Sequence, residues 1–174
     1  MVMAERWKPT YPALAELSEA RERYTWLVGR FVLELGDVDY LLADLVGAVL
    51  GEQHQTSREA WAGSGEPLKA ALQKAAVKEP GVGSLVGEYA ELYGQRNYLI
   101  HGMYDGCRVH VDGELLHGVT KLDRLRGSAG AGTSFSRMEW TQGELGQLVT
   151  RADDLANGAL ELIERFRRTP GVNG

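Results

Sequence analysis

The sequence is poor in cysteine, in proline and in long apolar runs. Cys107 is the single cysteine, and five residues are proline. One cysteine excludes an internal disulfide framework and is typical of a reducing compartment. The N-terminal stretch carries charges where a secretory signal needs an apolar run, and the most hydrophobic stretch, residues 38–51, contains two aspartates and is too short to cross a bilayer. We therefore expect a cytoplasmic protein with no membrane segment.

Positive charge is also scarce. The chain has 19 Lys and Arg residues against 24 Asp and Glu residues, which gives a formal net charge of −5. Proteins that coat nucleic acid draw most of their affinity from neutralised phosphates, so this charge balance argues against such a coat, and we expect no DNA binding. The length of 174 residues suits one domain with a proper core, and we predict a single domain over residues 1–174.

The hydrophobic pattern of the first third predicts one long helix. Its apolar residues are spaced alternately by four and three, which places them on one face of a helix that ends near Gly51. Leu27, Leu41 and Val46 widen this face, so we expect the helix to pack in a bundle core rather than in a narrow two-stranded seam. The members of the stripe are Tyr24, Val28, Phe31, Leu35, Val38, Leu42, Leu45 and Val49.

Shorter helices follow in the middle of the chain. Thr56 and Glu59 form a capping box that opens a short helix, and residues 66–67 suit the first turn of another helix, which ends at Glu79. A further helix begins at about Ser84. Its apolar stripe consists of Leu85, Tyr89, Leu92 and Leu99.

The pattern changes from helical to extended between residues 102 and 141. Two short extended runs around Asp112-Gly113 predict a β-hairpin, and residues 134–140 suit one more short strand. Thr141 and Glu144 form a second capping box, which opens a long final helix. We therefore predict an all-α fold, a four- to five-helix up-and-down bundle with a small β-hairpin insertion, about residues 107–140, before the last helix. The stripe of that helix is Leu145, Leu148, Ala152, Leu155, Ala159, Leu162 and Phe166.

Few residues suggest a metal or cofactor site. Of the four histidines, none is paired at helical ligand spacing. His110 and His117 flank the hairpin and could share a metal, but exposed strand histidines are far more common. The glycines at 81 and 83 lack the lysine of a phosphate loop. We predict no metal site and no cofactor.

The stretch Arg96-Asn97-Tyr98-Leu99-Ile100-His101 allows two interpretations. Cations in the last turn of a helix can bind the free carbonyls, with Gly102 as the terminator, and residues five apart on a straight helix lie about 140° apart. Arg96, on the core-facing stripe, would then pair with a carboxylate such as Glu34 or Asp37, because a buried unpaired charge costs several kcal/mol. The alternative is that Arg96 and His101 belong to a reactive site.

This stretch resembles the signature of HEPN domains (higher eukaryotes and prokaryotes nucleotide-binding). It has an arginine, a polar residue, three more residues and then a histidine, late in a helix. The motif of that family is arginine, four to six residues and histidine, and Asn, Asp or His commonly follows the arginine. Arg96, Asn97 and His101 match it with the four-residue spacing. The resemblance covers roughly residues 20–104 and the last helix.

The resemblance implies a metal-independent endoribonuclease that acts as a homodimer, with the two motifs meeting across the interface. His101 would assist proton transfer, Arg96 would hold the scissile phosphate and Asn97 would orient one of them. In a toxin branch of the family, a tyrosine two residues after the histidine is modified by an antitoxin; here Met103 takes that place and Tyr104 follows as a candidate binding residue. The family thus implies an RNA substrate and an antitoxin or regulatory partner. Other members are non-catalytic dimers that act as scaffolds or binding modules.

Overall fold

A computed structural model describes residues 14–51, 65–110, 113–125 and 132–168. In these parts of the chain, four α-helices and three strands are formed. Their order and bounds are α1 (Leu14–Leu50), α2 (Gly65–Lys78), a 3-10 turn (Pro80–Val82), α3 (Gly83–His101), β1 (Met103–Val109), β2 (Leu115–Leu125), β3 (Gly132–Thr141) and α4 (Gln142–Arg168).

The prediction of an all-α bundle with a small hairpin is wrong, because the chain forms a mixed fold with a three-stranded antiparallel sheet in the order β1-β2-β3. The sheet starts at Met103, before the predicted insertion, and β3 continues to Thr141. The ten paired positions between β2 and β3 make this ladder the longest in the sheet. On one face of this ladder His117, Val119 and Trp140 are buried.

The chain divides into two compact units. Of the described residues, the helical unit contains those from Gly29 to Asn97 and from Gly146 onward, and the sheet unit contains those up to Val28 and from Tyr98 to Leu145. Three helices, α1, α3 and α4, therefore contribute residues to both units. The single domain over residues 1–174 stays a prediction.

The helical unit has a core built mostly from the predicted stripes, but at the end of α4 Ile163 is buried in place of the predicted Leu162 and Phe166. Most members of the α1 stripe are buried, and Val46, predicted to widen it, is fully buried. Arg151 of α4 binds two carboxylates of α3, with its Nε 2.7 Å from Glu88 Oε1 and its Nη2 3.0 Å from Glu91 Oε1. The buried core residues of this unit include Phe31, Leu35, Val38, Leu42, Leu45, Leu68, Leu72, Ala75, Tyr89, Leu92, Leu148, Ala152, Leu155, Ala159 and Ile163.

The sheet unit separates its side chains onto two faces. On the inner face His117, Val119 and Trp140 are buried, at 0%, 1% and 5% exposure. On the outer face Met103 and Phe135 are exposed. The register explains the division, since Val119 pairs with Met138 and His117 with Trp140, while the intervening positions point the other way. The sheet therefore has one dry face and one open face.

Two element ends follow the sequence signals closely. Gly51 ends α1 with a φ of +92°, and its N–H donates to the Gly47 carbonyl at 2.9 Å. The capping box at α4 is reciprocal: the Thr141 N–H donates to Glu144 Oε2 at 2.7 Å, and the Glu144 N–H donates to Thr141 Oγ1 at 3.1 Å. The predicted capping box at residues 56–59 and Asp112 of the hairpin turn lie outside the described residues.

Among the described residues, none of the helices has the length and the apolar composition that crossing a membrane requires.

Candidate functional site

Arg96 lies five residues before the end of α3, on the stripe that also carries Tyr89 and Leu92, and it is half-buried. Its Nε is buried, and none of the described residues accepts a hydrogen bond from it. The guanidinium carbon lies 6.0 Å from the centroid of the Tyr93 ring, at the outer limit of a cation–π contact. A buried N–H without an acceptor costs about 1–3 kcal/mol. The buried Nε of Arg96 therefore lowers the free energy of unfolding of the helical unit.

A carboxylate and a phenol lie in the electrostatic field of Arg96. The Tyr89 hydroxyl donates to Asp39 Oδ1 at 2.6 Å. Burial raises the pKa of Asp39, and the Tyr89 hydrogen bond and the Arg96 charge act against that rise. Burial and the bond to Asp39 likewise raise the pKa of Tyr89, and the Arg96 charge opposes this. Arg96 thus acts on Asp39 through space rather than through a direct ion pair.

The expected partners of Arg96 are engaged elsewhere or stand apart. Glu34 accepts a hydrogen bond from Arg30 Nη2 at 2.8 Å, along the same helix. Asp37 is exposed. Within the described ranges, no carboxylate forms an ion pair with Arg96, so the interpretation in which Glu34 or Asp37 pairs with it finds no support.

His101 is the last residue of α3, and it is exposed. No described residue hydrogen-bonds to its imidazole, which is open to solvent. Asn97 is half-buried. The motif crosses the division between the two units within one helix, because Arg96 and Asn97 belong to the helical unit and His101 to the sheet unit.

Gly102 ends α3 by allowing close packing. Its N–H donates to the Tyr98 carbonyl at 2.8 Å, which continues the helical pattern by one residue. A Cβ at this position would lie 2.6 Å from the Tyr98 carbonyl oxygen and would also collide with Val119 of β2. Gly102 does not have the positive φ of Gly51. The glycine after His101 is therefore needed for its small size, where the helix end meets the sheet.

Gly102→Ala is expected to lower the free energy of unfolding by about 1–3 kcal/mol, because the added methyl group meets backbone as well as a side chain. Gly94→Ala in the same helix is the matched control, since a Cβ there meets open space. That control should be neutral or more stable by up to about 1 kcal/mol. Urea denaturation followed by circular dichroism measures both. Equal effects from the two substitutions would contradict the packing role of Gly102.

Tyr104, the candidate binding residue, lies in an aromatic cluster on the inner face. Its ring lies 4.7 Å from that of Tyr24 in α1, centroid to centroid, and its hydroxyl lies 3.4 Å from His117 Nδ1. Burial raises the pKa of Tyr104 to about 12, and the neighbouring thiol of Cys107 adds to this rise. Burial and the charge of Asp105 raise that of Tyr24 to about 12 as well. The phenol of Tyr104 is thus held neutral and half-buried.

His117 is the residue that sequence reasoning missed. It is fully buried, whereas His110 is exposed, so the expectation of an exposed strand histidine is correct for one and wrong for the other. His117 pairs directly with Cys107 across the two strands, and its ring stacks on Tyr24 at 4.9 Å. Its Nε2 is buried and has no hydrogen-bond partner among the described residues, and burial lowers the pKa of the imidazole. The period-two spacing from His117 to the apolar Val119 was the available signal.

His, Cys, Asp and Glu side chains do not come together in groups of three or more anywhere in the described part of the chain. The cluster of Cys107 and His117 therefore offers two such donors. Comparison with protein-family models, with curated proteins and with solved structures found no match.

Proposed function

We propose that this protein is a HEPN-like, metal-independent endoribonuclease of the cytoplasm, with a role as a toxin or as an anti-phage defence component. The observation that carries the proposal is the state of Arg96, a half-buried guanidinium that no described carboxylate saturates. An arginine neutralised by a partner within its own chain could not take up a phosphate. This arginine keeps that capacity.

The guanidinium of Arg96 suits the phosphate role. It offers five N–H donors in a planar fork, which matches the oxygens of a phosphodiester. A pentavalent phosphorane carries more charge on these oxygens than the ground state, so the same donors stabilise the transition state more than the substrate. Asp39 feels the charge of Arg96 but forms no ion pair with it, so the positive charge of Arg96 is not neutralised by a direct contact with this carboxylate.

His101 suits the proton-transfer role. An imidazole changes its protonation near neutral pH, and solvent exposure at a helix end lets a substrate reach it. In the proposed reaction the ribose 2′-oxygen attacks the adjacent phosphorus, and the bond from phosphorus to the 5′-oxygen breaks. A base removes the 2′-hydroxyl proton and an acid protonates the departing oxygen. The products are a 2′,3′-cyclic phosphate and a 5′-hydroxyl end.

A homodimer completes this proposal. By the family resemblance, Arg96 and His101 of two copies meet across the interface, with Asn97 orienting one of them, so neither helix needs to present both side chains to one point. Tyr104 is assigned no chemical step, because its phenol is half-buried beside Tyr24 and His117. The proposal also includes an antitoxin or other regulatory protein as a partner.

The alternative function is a non-catalytic HEPN-like dimer that acts as a scaffold or a partner-binding module. Two observations favour it. The net charge of −5 opposes the approach of RNA, and the buried Nε of Arg96 is a feature of side chains that pack. Under this function RNA survives incubation with the protein.

We expect the purified chain to cleave single-stranded RNA in the presence of EDTA and to leave 2′,3′-cyclic phosphate and 5′-hydroxyl ends. Labelled RNA resolved on a denaturing gel, with and without phosphatase and kinase treatment, reports both the cleavage and the end chemistry. A DNA of the same sequence is the control, because it lacks the attacking 2′-hydroxyl and should stay intact. Cleavage that stops in EDTA, or products with 3′-hydroxyl ends, would contradict the proposed reaction.

A further inference from the structure

The outer face of the sheet exposes a group of large apolar side chains. Phe135 of β3 is 75% exposed, Met103 of β1 is 70% exposed and Leu122 of β2 is 49% exposed. Leu122 and Phe135 are direct cross-strand partners, so they form one continuous apolar patch. Met103 pairs with Thr120, two positions along β2 on the same face. Three exposed hydrophobic residues on one flat surface are more than isolated surface residues need to explain.

An ionic network lies beside these apolar residues on the same face. Asp105 accepts a hydrogen bond from Thr120 Oγ1 at 2.7 Å and forms an ion pair of 3.0 Å with Arg137 Nε. Arg137 Nη2 lies 3.2 Å from Glu139 Oε1, and Arg108 Nε donates to the same oxygen at 2.8 Å. The network links all three strands. It contains two guanidinium groups and two carboxylates, and it is therefore electrically balanced.

This balance decides which kind of partner the face fits. An RNA surface needs an excess of positive charge, but both arginines here are already bound to carboxylates, in a chain whose net charge is −5. A surface that carries equal numbers of both signs can instead complement itself, as the two-fold interface of a homodimer requires. Aromatic side chains, methionine and arginine are also the residue types enriched in protein–protein interfaces.

We propose that two copies of this chain associate through the outer face of the sheet, with Phe135, Leu122 and Met103 at the centre and the ionic network around them. The role of this contact in catalysis rests on the proposed function, which needs a second copy to complete its site. Met103 follows His101 by two residues, in the same unit, so this interface would lie next to the exposed histidine of each copy.

The size of the face sets the expected strength. Strands of 7, 11 and 10 residues, with about 3.3 Å of length per residue and about 4.8 Å between strands, give roughly 450 Å² per copy. Two copies would bury about 900 Å², which is the size of a weak, transient interface. We therefore expect a dissociation constant in the micromolar range rather than an obligate dimer.

Sedimentation velocity of the full chain over a concentration series across the micromolar range tests the proposal. The wild type should shift from monomer to dimer, and Phe135→Glu should weaken association at least tenfold. Val77→Glu is the matched control, because Val77 is an apolar residue, 86% exposed, on α2 of the helical unit, and that variant should associate like the wild type. Met103→Gln, at an exposed position, should weaken association in the same direction if Phe135→Glu does not fold.

Each other outcome is also decisive. A wild type that stays monomeric throughout the series, or equal weakening by Phe135→Glu and Val77→Glu, overturns the proposal. So does an unchanged mass of Phe135→Glu together with weaker RNA binding, which would assign the face to RNA. If association follows the prediction but no variant cleaves RNA, the interface stands and the proposed ribonuclease function alone fails.

Discussion

Replacing either His101 or Arg96 by alanine is expected to lower RNA cleavage by roughly 100- to 10,000-fold while the chain remains folded. General acid–base catalysis by one side chain contributes about 100- to 10,000-fold, and one donor to a developing oxyanion contributes about 100- to 1,000-fold. His101 is exposed, so its removal leaves no cavity. Single-turnover cleavage with saturating protein measures the chemical step for each variant.

Further substitutions separate chemistry from packing. Arg96→Lys keeps the positive charge but loses the planar fork, and it should recover only a small part of the activity. Arg96→Met keeps much of the apolar stem and removes the buried donor, so it should be as stable as the wild type or slightly more stable, yet inactive. His110→Ala, which removes another exposed histidine, should cleave normally. Full activity of Arg96→Met would assign Arg96 to the core and would end the phosphate role.

Periodicity was sufficient to predict the helices. On α1, the alternation of four and three residues identified Leu35, Val38 and Leu42, which are fully buried. The second capping box could also be predicted, because it is formed by Thr141 and Glu144 alone and depends on no distant residue. Local signals of this kind survive in a sequence because their physics acts within one turn of the helix.

The sheet was underestimated because its pairing is non-local. Residues 134–140 suggested one more short strand, but no local pattern shows that Arg137 and Glu139 lie opposite Thr120 and Gly118 of β2. The same is true of the partners of Arg96. The cost of burying a charge suggests a carboxylate of α1 beside Arg96. The pairing of Glu34 with Arg30 instead depends on side-chain geometry that no spacing rule contains.

His117 is expected to make the protein less stable to unfolding as the pH falls from about 7 toward 5. Burial lowers the pKa of this imidazole in the folded state, so the unfolded chain binds a proton more readily, with an ordinary pKa of about 6.5. The contribution of neutral His117 is therefore fully present above that pH. It is lost as the pH falls below it, with a slope of at most about 1.4 kcal/mol per pH unit.

The groups around His117 cannot reverse this sign. Tyr24 and Tyr104 face the imidazole with pKa values raised to about 12, so both remain neutral throughout the range. The pKa of Glu139, on the outer face, is lowered chiefly by its bond to Arg108, and its contribution is lost only below its ordinary pKa of about 4.3. Asp39 acts in the opposite direction, because burial raises its pKa in the folded state. Its titration therefore opposes the slope from His117, and a comparison with a variant that lacks this imidazole isolates the contribution of the histidine.

Urea denaturation at several pH values in this window tests the assignment to His117. In His117→Phe the ring volume is roughly kept and the buried Nε2 is removed, so that variant should be at least as stable at low pH and should lose most of the slope. In His110→Gln, which removes an exposed histidine at the turn end of the same strand pair, the slope should be unchanged. A slope that persists in His117→Phe would show that His117 is not the titrating group. Another group would then take up the proton between about pH 7 and 5. The buried Nε2 of His117, which has no partner among the described residues, would lower the stability equally at every pH in this range.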